Sequence, residues 1–538
     1  MFEDLIKAVG ELDVAESPSE IPQEVLRLVP EEVTAQDAAH FLKPDSATTS
    51  FTALQGLYAL LCSEHDIIVR DGSDEVALGK IAEKIGEVIR PNLNIEPPDQ
   101  VSRGTLGLKI LSKLRAKHHI TLGPSTLISI TAFINTEDPW TTIESASLAR
   151  ELLDERFQPQ SREQRSKFIT EDILSDFLRP LFSKSRPATV TASGRKAEFV
   201  EPSRYDNANA EAEARKPWKH GQRYAITVFE WAVSQSDEQL LQKSWHLFTP
   251  VLLTLLDEPQ TALKVRALGI FRAFWARCPG DLMRQTGLAQ VFEDAVFPAV
   301  LYLPSLTPES ESIAILNAAY PALIAMAGSD LESTADEPQS NPKFTEAQQK
   351  LLDKIIREGI LVGYNHASEH IRLVELFCEK LRCVVNGMGI LAIKHLKVGL
   401  LLRIRTHFPL LMQQLPSRNL IPMVSEIMTD PFGTQHPPSL LSAVKLLHAI
   451  MSTCWPRIPH YCNEIIKALM LCWLNIGEED AFPDGDPGPA SLKSELTKAA
   501  DMLSAVMQAA KMDMEERVAP LVEKEPQLRE LFKISHET

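Results

Sequence analysis

Residues 248–280 read FTPVLLTLLDEPQTALKVRALGIFRAFWARCPG, and their apolar spacing predicts two helices joined by a turn. In both halves, large apolar residues recur at steps of three and four, which is the spacing of one face of an α-helix. The acidic, proline-containing tetrapeptide 257–260 ends the first helix, and Cys278-Pro279-Gly280 ends the second. The two stripes are Phe248, Val251, Leu252, Leu255 and Leu256, then Leu263, Ala267, Leu268, Phe271, Phe274 and Trp275.

This hairpin resembles a HEAT repeat, because an aspartate lies in the turn and Lys264-Val265-Arg266 opens the second helix. In such repeats the turn aspartate and the following basic residue tie neighbouring repeats together, which implies that Asp257 bridges to Lys264 or Arg266. We therefore expect Asp257→Val to destabilise the fold. A single hairpin cannot bury its own apolar face, so several must stack. The predicted fold is all-α, a HEAT-like α-solenoid of stacked antiparallel helix pairs.

Three further helical stripes follow towards the C-terminus, and no strand-like alternation of useful length competes with them. The first two are separated by Trp455-Pro456-Arg457-Ile458-Pro459. Their order supports stacked helices, although no strict self-similarity marks a repeat. The stripes are Leu440, Leu441, Val444, Leu447 and Met451; Cys462, Ile465, Ile466, Leu469, Met470 and Trp473; and Leu492, Leu496, Leu503, Val506 and Met507.

Composition divides the chain into an N-terminal helical region, 1–182, and a C-terminal solenoid, 217–538. Between them, 183–216 is polar and alanine-rich with few large apolar residues, as in a partly disordered linker. Two acidic, proline-containing loops are expected at 329–345 and 477–489. The sequence does not indicate whether those loops are regulatory.

Charge and apolar content limit the classes of partner. The formal net charge is −17, which repels a phosphate backbone, so nucleic acid is not expected as a partner. The most apolar stretch, 389–404, is interrupted by four basic residues, so no membrane span is expected. The N-terminus lacks the apolar core of a secretory signal. The seven cysteines form no CxxC pair, which favours buried thiols in a reducing compartment.

One pattern could carry catalysis. His366-Ala367-Ser368-Glu369-His370 matches H-x-x-E-H, in which two histidines on one helix face hold zinc and the glutamate acts as base. A metal-dependent hydrolase built on these residues is therefore one hypothesis. The alternative is a solvated helix turn in which Glu369 screens His370, and it is favoured because no third ligand or mixed α/β scaffold is evident. No phosphate-binding loop or nucleophile elbow occurs. We expect no catalytic, cofactor-binding or metal-binding residues.

Two regions are candidates for binding another protein. A basic strip lies among leucines and isoleucines near 394–405, and it is either a solvated face or a docking strip for an acidic protein. An apolar stripe near the C-terminus could be covered by an obligate partner, and tryptophans there could be exposed anchors. The candidate residues are Lys394, Lys397, Arg403 and Arg405 in the strip, and Leu469, Met470 and Trp473 in the stripe.

A longer pattern goes beyond a generic repeat. Pro217-Trp218-Lys219 opens a helix, since proline is tolerated in a first turn, and 301–309 reads LYLPSLTPE. Together these elements resemble the Tel-two-interacting protein two family, best from 215 to 327. The resemblance implies that Trp218, Trp231 and Trp245 pack the first repeats. Its core residues here are Pro217, Trp218, Lys219, Trp231, Trp245, Pro250, Asp257, Lys264, Gly269, Leu303 and Pro304.

The resemblance implies a function that composition cannot show. Members are non-enzymatic HEAT-type scaffolds in the TTT co-chaperone complex. They pair directly and tightly with Tel-two-interacting protein one, and Tel-two is a further partner in the complex. With Hsp-ninety and the R-two-TP adaptor, the complex helps PIKK-type kinases of the TOR, ATM and ATR type to fold and assemble. Cytoplasm and nucleus are the expected locations. The alternative is another HEAT-type adaptor, in transport or trafficking. Which helices form the partner interface is left open.

Overall fold

Helices make up all the regular secondary structure that the computed structural model describes. Within those residues one isolated parallel bridge, Thr34 to Ile68, is the sole β-type pairing. The predicted all-α class is confirmed, whereas the solenoid of stacked antiparallel pairs stays a prediction. The structure describes residues 2–11, 21–42, 51–65, 67–70, 72–92, 95–158, 162–183, 216–328, 343–396, 419–477 and 488–533.

Contacts between residues divide the chain into two compact units. Unit 1 comprises Met1–Thr254 and Arg277–Gln285, and unit 2 comprises Leu255–Ala276 and Thr286–Thr538. The predicted linker at 183–216 stays a prediction, because 184–215 lie outside the described residues. The same holds for most of the two acidic loops, at 329–342 and 478–487.

Several helices of unit 1 begin at proline or hydroxyl signals that the sequence carries. For example, α8 starts with a capping box, in which the Thr142 hydroxyl accepts from the Ser145 amide at 3.1 Å. The helices to the end of this unit are α1 (Glu3–Gly10), α2 (Gln23–Leu26), α3 (Ala35–Ala39), α4 (Phe51–Cys62), α5 (Gly72–Ile89), α6 (Pro97–His118), α7 (Pro124–Thr131), α8 (Ile143–Arg156), α9 (Arg162–Lys167), continued by a π-helix (Phe168–Leu178), α10 (Arg179–Phe182), α11 (Pro217–His220), α12 (Ala225–Gln235) and α13 (Glu238–Leu256), which runs into unit 2.

The core of unit 1 depends on close helix approaches. In sequence order α4 packs on α6, α5 on α7 and α6 on α8. The middle helix, α6, presents Gly104 to the buried Phe133 ring and Gly107 to Ile89, and a Cβ at either glycine would overlap its neighbour. Glycine therefore sets the distance between these helices, because any larger residue would force them apart.

Unit 2 continues the helical order with short 3-10 segments, and three of these contain proline: Phe297–Leu301, Pro431–Gln435 and Trp455–Tyr461. Its elements are α14 (Thr261–Trp275), α16 (Leu288–Val296), a 3-10 helix (Phe297–Leu301), α17 (Glu309–Ala327), α18 (Glu346–Lys354), a π-helix (Ile355–Leu361), α19 (Val362–Ala367), α20 (Ile371–Met388), a 3-10 helix (Gly389–Leu396), α21 (Leu420–Thr429), α22 (Pro437–Thr453), a 3-10 helix (Trp455–Tyr461), α23 (Cys462–Ile476), α24 (Gly488–Ala509), α25 (Glu515–Lys524) and α26 (Leu528–Phe532); α15 (Gly280–Thr286) belongs mainly to unit 1.

In unit 2 the aromatic residues of α14 meet α16 and α17. Phe271 lies 5.1 Å from Phe292, centroid to centroid, and the Trp275 indole donates to the Ala325 carbonyl at 3.1 Å. Further along, α20 packs on α22, α22 on α24, and α21 on α23. By length and composition α17 could cross a membrane, but it contains Pro321 and more than half of it is buried within the chain. Burial of that kind fits a core helix.

The seven cysteines are all free thiols, and five of them are buried. Burial raises the pKa of Cys278 and Cys472 to about 12, so both stay protonated at neutral pH. These thiols act as small apolar residues in the core.

Candidate protein-interaction surface

The turn before α14 places one ammonium group in the interior of unit 2. Lys264 is buried in the first turns of that helix, and its Nζ donates to the Leu256 carbonyl at 2.8 Å. Burial lowers the pKa of Lys264, while the negative charges of Asp257 and Glu258 oppose that shift. The lysine therefore satisfies a carbonyl at the end of α13, where a cation is electrostatically favoured.

The acidic side of this turn differs in part from the prediction. Asp257 is exposed and acts on Lys264 through its charge, whereas the side chain of its neighbour Glu258 is completely buried. The predicted partner, Lys264, is thus near Asp257, but the buried carboxylate is one residue later. An exposed aspartate contributes little to stability, so we now expect Asp257→Val to cost far less than its HEAT-type role implied.

The same lysine fixes the inner side of the LYLPSLTPE segment. Its ammonium lies 5.2 Å from the centre of the Tyr302 ring, a cation–π contact. Burial raises the pKa of Tyr302, and the charge of Asp257 adds to the effect. Leu303 is buried directly beside it, and Pro304 is half-buried. The structure therefore brings together four residues of the family resemblance, Asp257, Lys264, Leu303 and Pro304.

The outer side of this segment is apolar and faces solvent. The Leu303 carbonyl accepts from the amides of Leu306 and Thr307, each at 3.0 Å, and the resulting turn pushes Leu306 outward. Leu306 is 93% exposed and Leu301 is 50% exposed. Pro308 then precedes α17, so the turn ends on a helix and cannot extend further.

A side-chain hydrogen bond attaches this turn to the beginning of α20. Glu309 Oε2 lies 3.1 Å from His370 Nδ1, and the next residue, Ile371, has an exposed side chain. Because Leu306 is three residues from Glu309, about 10 Å of chain at most separates it from this contact. We call Leu301, Leu306 and Ile371, with Glu309 and His370 at their edge, the Leu306 surface.

The H-x-x-E-H pattern is divided by the fold. A helix, α19, ends at Ala367 and α20 begins at Ile371, so the two histidines do not share one helix face. His366 and Glu369 are exposed, and His370 pairs with Glu309, not with Glu369 as the sequence suggested. Among the described residues, no group of three His, Cys, Asp or Glu side chains could hold a metal ion.

A family comparison covers this region. The Tti2 family model matches residues 126–402, more than half of the chain. This chain belongs to the Tti2 family. The match confirms the resemblance to the Tel-two-interacting protein two family. It begins at residue 126, well before residue 215, where the sequence pattern begins to resemble the family most clearly. No curated protein matches the chain. Membership of the Tti2 family implies association with the TTT complex, and all five residues of the Leu306 surface lie within the matched range.

In unit 1 of this Tti2-family chain, two of the three tryptophans that the resemblance names are buried. Pro217 begins α11, and Trp218 is fully buried with its ring stacked on Phe182 at 5.1 Å. Trp231 is buried 5.9 Å from Phe168, ring centre to ring centre. The remaining residues are less enclosed: Lys219, Trp245 and Pro250 are half-buried, and Gly269 in unit 2 is exposed.

The C-terminal candidates are core residues, which corrects the prediction that they face a partner. Leu469 and Trp473 are buried, and Met470 is half-buried. The Trp473 indole donates to the Gln527 carbonyl at 3.2 Å, and Lys493 lies over its ring at 5.5 Å. Later helices of the same chain therefore cover this stripe, and the tryptophan that faces solvent is Trp455, 54% exposed.

The predicted basic strip is described only at its beginning. Lys394 pairs with Asp353 at 2.6 Å, and the buried His395 contacts the same carboxylate through Nε2 at 2.9 Å. Burial lowers the pKa of His395 to about 4, so its contact with Asp353 is a hydrogen bond from a neutral ring. These two residues join neighbouring elements of unit 2. Lys397, Arg403 and Arg405 lie outside the described residues.

Proposed function

We propose that this chain is a non-enzymatic scaffold subunit of the TTT complex. It would act with Hsp-ninety and R-two-TP in the folding, stability and assembly of PIKK-type kinases of the TOR, ATM and ATR type, in cytoplasm and nucleus. Family membership supports this proposal. The alternative, a transport or trafficking adaptor with the same kind of helices, has no comparable support.

Within this proposal, the Leu306 surface binds Tel-two-interacting protein one. Exposed leucines and isoleucines beside a polar edge are the arrangement that buried interface anchors require. The turn is also preorganised, because Lys264 and Tyr302 hold its inner side and Glu309 pairs with His370. A partner therefore pays little ordering entropy when it binds there. A stable interface buries about 800 Å² on each partner, so this surface would be its centre and not its full extent.

The mutation Leu306→Asp tests this location. The side chain makes few internal contacts, so the charge should leave the melting temperature of the free chain unchanged. In the complex the new carboxylate would be buried without a partner. Binding should therefore weaken by at least about 30-fold, which corresponds to the loss of an interface anchor worth about 2 kcal/mol. Titration of purified wild-type and mutant chains against Tel-two-interacting protein one gives the dissociation constants.

The matched control is Ile143→Asp. Ile143 is 83% exposed in unit 1 and also lies within the range of the family match. The Ile143→Asp chain should bind Tel-two-interacting protein one like the wild type, if the weakening by Leu306→Asp comes from its position and not from the added charge. Equal weakening by both mutations, or by neither, would place the interface elsewhere.

Affinity purification of the wild-type chain tests the function itself. Recovery of the two other TTT subunits supports the proposal, and depletion of the chain should then lower the steady-state amounts of PIKK-type kinases. Recovery of transport receptors or coat proteins in place of TTT subunits would favour the adaptor alternative.

A further inference from the structure

A cavity of about 340 Å³ opens in unit 2 between α20, α22 and α24, apart from the residues of the Leu306 surface. Its volume lies within the range of small-molecule sites. Residues spaced by three or four positions share one helix face, so α20 and α22 each direct a short row of side chains to it, and α24 adds one residue. The lining residues are Arg382 and Asn386 from α20, Lys445, His448, Ala449 and Ser452 from α22, and Met502 from α24.

The lining is positively charged in a chain that is strongly acidic overall. Arg382 and Lys445 contribute two cations from two different helices, and none of the lining residues that the structure describes is a carboxylate. An anion that binds between these two cations is attracted by both charges. A guanidinium has five donors, so Arg382 can bind a ligand as well as a group of the protein.

The acidic residue that contacts the lining residue His448 is already engaged by another side chain. Glu495 pairs with Lys498 at 2.7 Å, and its backbone carbonyl lies 3.1 Å from His448 Nε2, which therefore donates a hydrogen bond. The Glu495 carboxylate is 3.5 Å from His448 Nδ1 on the side of α24. Glu495 is not among the described residues that line the cavity, so the space itself stays open to a ligand.

We propose that this cavity binds a small soluble molecule that carries a phosphate group. Arg382 and Lys445 pair with the phosphate oxygens, since guanidinium and ammonium groups are the usual phosphate partners. The Asn386 amide carries two N–H donors, whereas the Ser452 hydroxyl already donates to the Ala449 carbonyl at 3.0 Å. Ala449 and Met502 give an apolar wall for the organic part of the ligand. The site extends beyond residue 402, where the family match ends.

Pyrophosphate is a suitable probe, used with the full chain at constant ionic strength adjusted with sodium chloride. We expect pyrophosphate to raise the melting temperature of the wild type, and calorimetric titration to give a dissociation constant. Lys445→Glu should weaken binding at least about tenfold, because it replaces a charge-assisted contact with a repulsive one. Lys445 is exposed, so this mutation should leave the fold of the free chain intact.

Lys467→Glu is the matched control, an exposed lysine on α23 that does not line the cavity. It carries the same change in net charge and should bind pyrophosphate like the wild type. Arg382→Gln should also weaken binding, provided that circular dichroism shows a folded chain. Stabilisation by chloride alone to the same extent, or equal binding by Lys445→Glu, would overturn the proposal. Binding of a phosphoserine peptide without any binding of pyrophosphate would also overturn it, and would assign the cavity to a phosphoprotein.

Discussion

The buried histidine of unit 2 should make the stability of the fold depend on pH. In the folded chain burial lowers the pKa of His395 from 6.5 to about 4, against the opposing influence of Asp353. The nearby charges of Arg357 and Lys394 lower the pKa further. The folded state therefore keeps this ring neutral at pH values where the unfolded chain already binds a proton.

The sign and size of the effect follow from proton linkage. Between pH 6.5 and about 4 the unfolded state binds more protons at His395, so the free energy of unfolding falls as the pH is lowered. Each pH unit in that window costs about 1.4 kcal/mol, which gives about 3 kcal/mol in total. The contribution is fully present above pH 6.5.

His395→Gln isolates this contribution. The glutamine amide can still donate to Asp353, but it does not titrate. Urea unfolding of the full chain, followed by circular dichroism between pH 7.5 and about 4.5, should show the wild type losing stability relative to this mutant. His366→Gln, at an exposed position, should follow the wild type. Parallel pH profiles for wild type and His395→Gln would refute the reasoning, because other acidic groups are unchanged between them.

Two further pairs of mutations test packing. Trp218→Ala should lower the free energy of unfolding by about 3–5 kcal/mol, because it removes a fully buried ring. Trp455→Ala, at an exposed position, should change the free energy of unfolding by less than about 0.5 kcal/mol. Equal effects of the two mutations in urea unfolding would contradict the assigned burial. Gly104→Ala should cost about 1–3 kcal/mol, because its Cβ overlaps the Phe133 ring. Gly269→Ala should instead raise the melting temperature, since open space surrounds this helical glycine. A stabilising Gly104→Ala in calorimetry would argue against that close approach.

The turn around Asp257 illustrates the limit of motif reasoning. The sequence correctly indicated a helix end there and a basic residue nearby. It could not show which of two adjacent carboxylates is buried, because a turn has no fixed period from which to infer the direction of a side chain. The structure buries Glu258 and exposes Asp257.

The candidate interaction surface was predictable only in part. Leu303 and Pro304 were identified from the LYLPSLTPE pattern, and both are enclosed to some degree. Leu306 in the same pattern is the exposed residue, and Ile371 comes from a helix more than sixty positions later. The exposure of an apolar side chain depends on whether distant segments of the chain cover it. A local sequence pattern does not contain that information.

The sequence by itself determined where the helices lie. The stripes beginning at Phe248, Leu263, Leu440, Cys462 and Leu492 all fall inside observed helices, because the 3.6-residue period and the proline and glycine stops are local properties. The family likeness was also readable, since it rests on residues close together in the chain.

Only the tertiary structure decided which side of each helix is covered, and by what. Trp473 is covered by Gln527, His370 contacts Glu309, and three helices line the cavity that includes Arg382. Each of these contacts joins residues about fifty or more positions apart. The free energy of burial is gained between distant segments, and the spacing of residues along one helix does not contain that information.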